Sequence, residues 1–124
     1  MIYGVQTLFG TINVVLFNNY KKYCKFLAKH GKSAQALDYY ADGETECWAD
    51  EDNNVWCVVL TVPSDTTNSH NALLCHEAVH CAQFIFENFG EDNPGCEEEA
   101  YLVQAIAQSL FMGDDDLRKK KPSN

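Results

Sequence analysis

The sequence predicts an α+β domain in which a small antiparallel or mixed sheet packs against two long helices in the C-terminal half, and three observations carry that expectation. β-Branched apolar runs bounded by turn residues fill much of the first half, in the pattern of strands. Apolar residues recur at helical spacing through most of the second half. The length of 124 residues and a 46% hydrophobic share suit one core and leave no room for a second folded domain.

Taken in order, Thr11-Ile12-Asn13-Val14-Val15-Leu16-Phe17 reads as a strand between Gly10 and Asn18-Asn19, with room for a shorter strand before it. Asn18 or Asn19 can cap a helix over residues 20 to 30, whose stripe of Tyr20, Tyr23, Cys24, Leu27 and Ala28 lies opposite Lys21, Lys22, Lys25 and Lys29. Gly31 ends that helix, with His30 favoured at its negative end. Residues 36 to 41, 45 to 49 and 55 to 62 read as an antiparallel meander, turning at Asp42-Gly43 and at Asp50 to Asn54 and stopped by Pro63. A helix is expected from about Asn71 to Asn88, capped by Ser69 or a polar neighbour, with His70 in the solvated loop before it and Leu73, Val79, Phe84 and Phe86 as core contacts. A second follows from Pro94 or Cys96 to Met112 and stops at Gly113. The domain thus spans residues 1 to 113, and residues 114 to 124, an acidic triplet followed by a basic block and Pro122, form a flexible charged tail.

Nine basic against 18 acidic residues give a formal charge of −9, which argues against nucleic acid and anionic membrane surfaces as partners. No basic lead with an apolar run marks a signal peptide, and no segment approaches membrane-spanning length, so a cytoplasmic protein is expected. In that setting the six cysteines, Cys24, Cys47, Cys57, Cys75, Cys81 and Cys96, read as reduced, small apolar residues. No C-x-x-C pair occurs, which disfavours a thiolate zinc knuckle.

Within the first long helix stands His76-Glu77-Ala78-Val79-His80, an H-E-x-x-H. Side chains four apart share a helix face, so the two imidazoles can converge on one ion while Glu77 stays beside it as a general base. A catalytic zinc needs a third protein ligand. The metzincin spacing would require Gly and His where Gln83 and Phe86 stand. A carboxylate from the next helix is the other route, and Cys96-Glu97-Glu98-Glu99-Ala100-Tyr101 offers three. Helical periodicity through Val103, Ile106, Ala107 and Leu110 favours Glu99, while Glu97 shares a face with Ala100, Tyr101 and Gln104. Acidic residues also suit a helix N-terminus without any metal.

His76-Glu77-Ala78-Val79-His80 followed by Glu97-Glu98-Glu99-Ala100 resembles the H-E-x-x-H…E-x-x-A pattern of gluzincin metallopeptidases, and more closely that of short zincin-like proteins of tailed phages. The resemblance covers mainly residues 55 to 112, and residues 1 to 54 share only the general layout. It implies a minimal zincin-like domain, with an active-site helix and a C-terminal ligand helix, that binds Zn²⁺ through His76, His80 and Glu97. The chain departs from thermolysin-like enzymes in having Tyr101, not Asp, four residues after Glu97.

The expected activity is hydrolysis of a peptide or protein substrate by a zinc-activated water, with Glu77 moving its proton and the strand at residues 55 to 62 as the substrate-pairing edge. Tyr39, Tyr40, Tyr101 and His70 are the candidates for steadying the oxyanion. The competing expectation is a catalytically silent zinc module that works by binding another protein.

Overall fold

In the computed structural model, residues 2–7, 10–34, 43–62, 67–90 and 94–119 are described. Four strands, β1 (Ile2–Thr7), β2 (Gly10–Phe17), β3 (Gly43–Ala49) and β4 (Val55–Thr61), form one sheet in the order β1-β2-β4-β3. β1 pairs antiparallel with β2, and β3 with β4, whereas β2 and β4 run parallel at its centre. A parallel pair cannot be joined by a tight turn, and α1 (Tyr20–Lys29) lies in the connection between them. The α+β class and mixed sheet match the expectation, and the shorter strand foreseen before Thr11 is β1. The strand expected at residues 36 to 41 lies outside the described residues, as do Tyr39 and Tyr40.

Strand alternation divides the interior into two layers. Ile12, Val14 and Leu16 of β2, with Val55, Cys57 and Val59 of β4, face α2 (Thr67–Asn88) and α3 (Cys96–Lys119). Val15, Val58, Leu60 and Trp48 point to the opposite face, where they meet Tyr23 and Leu27 of α1. Buried on both sides, β4 has the near-continuous apolar character of an interior strand. It is therefore not the edge strand anticipated; that position belongs to β3, which among the described residues pairs only with β4.

The first helix follows its sequence signals. The Asn19 side chain accepts from the Lys22 amide at 3.0 Å, and Gly31 takes a left-handed φ of 69° just past the end. Both later helices depart from expectation at a terminus. α2 begins at Thr67, so Ser69 is inside it and His70 is a buried helical residue rather than a solvated one. α3 does not stop at Gly113 but continues to Lys119, so residues 114 to 119 belong to the domain and are no tail. Residues 120 to 124 fall outside the described part.

These two departures have one cause. His70, 3% exposed, meets Asp114 across the helix pair with Nε2 2.8 Å from Oδ1, and Arg118 Nε donates to the other carboxylate oxygen at 2.8 Å. Tyr3 on β1 donates to Asp116. Gly113 lies where a Cβ would come 3.3 Å from Leu16 Cβ and 3.5 Å from Tyr3 Cε2. It is a point of close approach between α3 and the sheet, not a stop. No described helix is long and apolar enough to cross a membrane.

Candidate metal centre

On α2 the buried stripe comprises His70, Leu74, Glu77, Ala78, Cys81, Ala82, Ile85 and Phe86. His76 and His80 sit on the exposed flank of that stripe, and Val79, expected in the core, is also exposed. One helical turn brings the two imidazoles together: their Nε2 atoms are 3.1 Å apart, with ring centroids at 4.7 Å and planes at 81°. Two nitrogens bound to one tetrahedral zinc at about 2.0–2.1 Å lie roughly 3.3–3.4 Å from each other. The pair is thus within a few tenths of an ångström of the spacing a shared ion requires.

Glu77 points inward and is 4% exposed. Its Oε2 accepts a hydrogen bond from Thr45 on β3, and its Oε1 lies against Gly43, where a Cβ would come to 3.2 Å. His76, Glu77 and His80 line a 440 Å³ cleft with Gly43, Glu44, Thr45, Cys47 and Phe84. β3, at the edge of the sheet among the described residues, therefore forms one wall, and the H-E-x-x-H turn of α2 the other.

The acidic turn of α3 lies elsewhere. Glu97, Glu98 and Glu99 are all exposed, and none lines the histidine cleft. Glu98 instead borders a separate 390 Å³ apolar cavity with Gln6, Thr7, Phe86, Tyr101, Leu102 and Ala105. The structure brings together His76, His80 and Glu77 and leaves Glu97 outside that group. Among the oxyanion candidates, Tyr101 lines this second cavity and His70 is engaged by Asp114, so neither borders the cleft.

Among the described residues, one set of three metal-ligating side chains does converge: Cys47, Cys57 and Cys81, whose sulfurs all lie within 4.8 Å of one another. Cys47 and Cys57 are directly opposite in the β3–β4 ladder, and Cys81 meets them from α2. The set could hold a metal ion, and Cys57 and Cys81 are at the same time members of the main core cluster, as small apolar residues should be, with Cys47 packed against it. Hydrogen bonds from Cys57 and Cys81 hold the Cys47 thiol down at about 5, against the effect of its burial, and His80 adds a smaller pull in the same direction. The thiols of Cys57 and Cys81 are pushed up, each first by its contact with Cys47. The sequence hid this group because its members lie 10 and 24 residues apart on three elements, and sequence spacing registers only ligands that share a turn or knuckle. One signal was available: once the strands are in register, Cys47 faces Cys57.

No protein-family model, curated protein or solved structure matches this chain.

Proposed function

We propose that the chain is a small zinc-dependent peptidase whose site is the cleft between α2 and the edge of β3. One observation carries this reading: two imidazole nitrogens 3.1 Å apart stand in a cleft beside the buried carboxylate of Glu77. His76 and His80 are the zinc ligands. An ion held by them would supply a water acidified toward a pKa of about 7 and a Lewis acid for the scissile carbonyl. Glu77, steadied by Thr45, accepts the proton of the attacking water and delivers it to the leaving amine. An extended peptide binds by backbone pairing along β3, whose outer edge among the described residues has no strand partner. Six free cysteines suit a reducing compartment such as the cytoplasm.

Glu97 is proposed as the third ligand on the strength of the E-x-x-A pattern, and it reaches the histidines only if the first turn of α3 moves toward the cleft on metal binding. Glu97→Ala and Glu99→Ala, compared for zinc retention, decide the assignment. Loss in the first alone supports Glu97. Retention in both moves the third position to a residue lining the cleft, where Glu44 and Cys47 stand.

The placement of Glu97 outside the cleft favours a second reading, a zinc module without hydrolytic activity. Incubation of the zinc-loaded chain with a diverse peptide pool separates the two. Cleavage that disappears in Glu77→Gln while zinc stays bound supports the peptidase; bound zinc with no cleavage supports the silent module. Cleavage that survives Glu77→Gln removes Glu77 from the role of base.

A further inference from the structure

Beneath the histidine pair lies a centre of different chemistry. We propose that Cys47, Cys57 and Cys81 form a second metal site, separate from His76 and His80, which takes a thiophilic d¹⁰ cation such as Zn²⁺ through three thiolates.

The geometry supports this at each ligand. A metal–sulfur bond of about 2.3 Å places the sulfurs about 3.8 Å apart around a tetrahedral ion and about 4.0 Å apart in a trigonal plane. The three sulfurs already fit within 4.8 Å, so closing on an ion requires movements below an ångström at each side chain. Their carriers are anchored: Cys47 and Cys57 are in-register partners across β3 and β4, and Cys81 belongs to the buried stripe of α2. Cys57 and Cys81 have no exposed surface, while Cys47 is partly open beside the cleft, which gives an ion one way in.

The site's function follows from what surrounds it. Sulfur ligands select soft cations over Mg²⁺ or Ca²⁺. Val14, Val55, Val59, Ala78 and Ile85 belong to the same buried cluster, and an apolar shell of this kind leaves little room for a substrate. Such a centre is structural: it ties the β3–β4 hairpin to α2 and so fixes the wall of the cleft against the helix that carries Glu77. The proposal does not depend on the peptidase reading as His76, His80 and Glu97 carry it, because it uses none of those residues; Cys47 alone is shared with the alternative third position.

Cd²⁺, a spectroscopically visible thiophilic ion, tests it on the full chain, reduced and freed of metal. Titration should give thiolate-to-cadmium charge-transfer absorption that persists in His76→Ala/His80→Ala and in Cys24→Ser/Cys75→Ser/Cys96→Ser. In Cys47→Ser, the least buried of the three ligand positions, the saturated absorption should fall by about a third, since one of three metal–sulfur bonds is gone. A ¹¹³Cd resonance of the unsubstituted chain in the sulfur-ligated range supports the same conclusion without any substitution. A resonance in the nitrogen and oxygen range, loss of the absorption in the histidine variant, an undiminished signal in Cys47→Ser, or a Cys47–Cys57 disulfide in freshly purified protein would each overturn it.

Discussion

Glu77 keeps its place because residue 43 has no side chain. A Cβ there would come 3.0 Å from the Leu60 carbonyl oxygen and 3.2 Å from Glu77 Oε1, and of the two only the glutamate can yield. Gly43→Ala should therefore displace the carboxylate and cost about 1–3 kcal/mol by overpacking, and under the proposed peptidase function hydrolysis should fall further than zinc affinity. Urea denaturation beside a cleavage assay checks both effects. Thr45→Val removes the hydroxyl that donates to Glu77 while keeping its shape, leaving a buried carboxylate oxygen short of a donor, with an expected loss of about 1–3 kcal/mol. The same change made on Glu77→Gln should cost less, because a neutral acceptor binds the hydroxyl more weakly. At the β3–β4 turn, Asp50 Oδ1 accepts from the amides of Asn54 at 2.9 Å and Asp52 at 3.0 Å. These bonds, that to Asn54 first, hold its carboxyl below the ordinary 3.8. A carboxyl with a depressed folded value stabilises the fold above its unfolded pKa and loses that contribution as pH falls through the folded one. Asp50→Ala should therefore lower the denaturation midpoint at pH 7, and the gap to the unsubstituted chain should close progressively as pH falls below about 3.8.

At the scale of elements, the last turns of α3 act as a clasp. Asp114 bridges His70 and Arg118, Tyr3 reaches Asp116, and Leu117 packs on the main cluster. Asp114→Ala deprives a buried imidazole of its acceptor and should cost about 1–3 kcal/mol. A chain ending at Gly113 should lose more than Asp114→Ala in thermal denaturation. Equal stability of the Gly113 truncation and the full chain would refute the clasp. This is also where sequence reasoning failed, for an identifiable reason. Gly113 followed by three aspartates carries the local marks of a helix end, and a contact between His70 and Asp114 spans 44 residues, beyond any local pattern. Strand and helix types were legible where burial is periodic: Val14, Leu16, Val55, Cys57 and Val59 alternate as strand residues should. Strand order was not, because an apolar run such as residues 55 to 62 records that a strand is buried without recording which neighbours cover it.

Across the whole molecule, α2 contributes to two groups of donors that could each hold a metal, on adjoining faces: two imidazoles toward the cleft and the Cys81 thiol toward the sheet. Half of this was legible, since His76 and His80 lie one turn apart and helical geometry alone makes them meet. The thiol set depends on the tertiary fold and had no local signature. The thiol set joins β3 and β4 to α2, whereas both imidazoles belong to α2 itself; an ion held by either set only in the folded state should stabilise the chain by mass action. At 100 times its dissociation constant, an ion bound only by the folded state adds about 2.7 kcal/mol. If both sites fill, the rise in thermal midpoint with zinc should divide into two increments, one removed by His76→Ala/His80→Ala and the other by Cys47→Ser. Additivity is expected only if the sites are independent, and Cys47 lies near enough to His80 for its charge to be felt. Differential scanning calorimetry of the chain, the two variants and their combination measures that coupling. A combined loss equal to the larger single loss would show that the imidazoles and thiols hold one ion between them, and would replace two centres with a single mixed one.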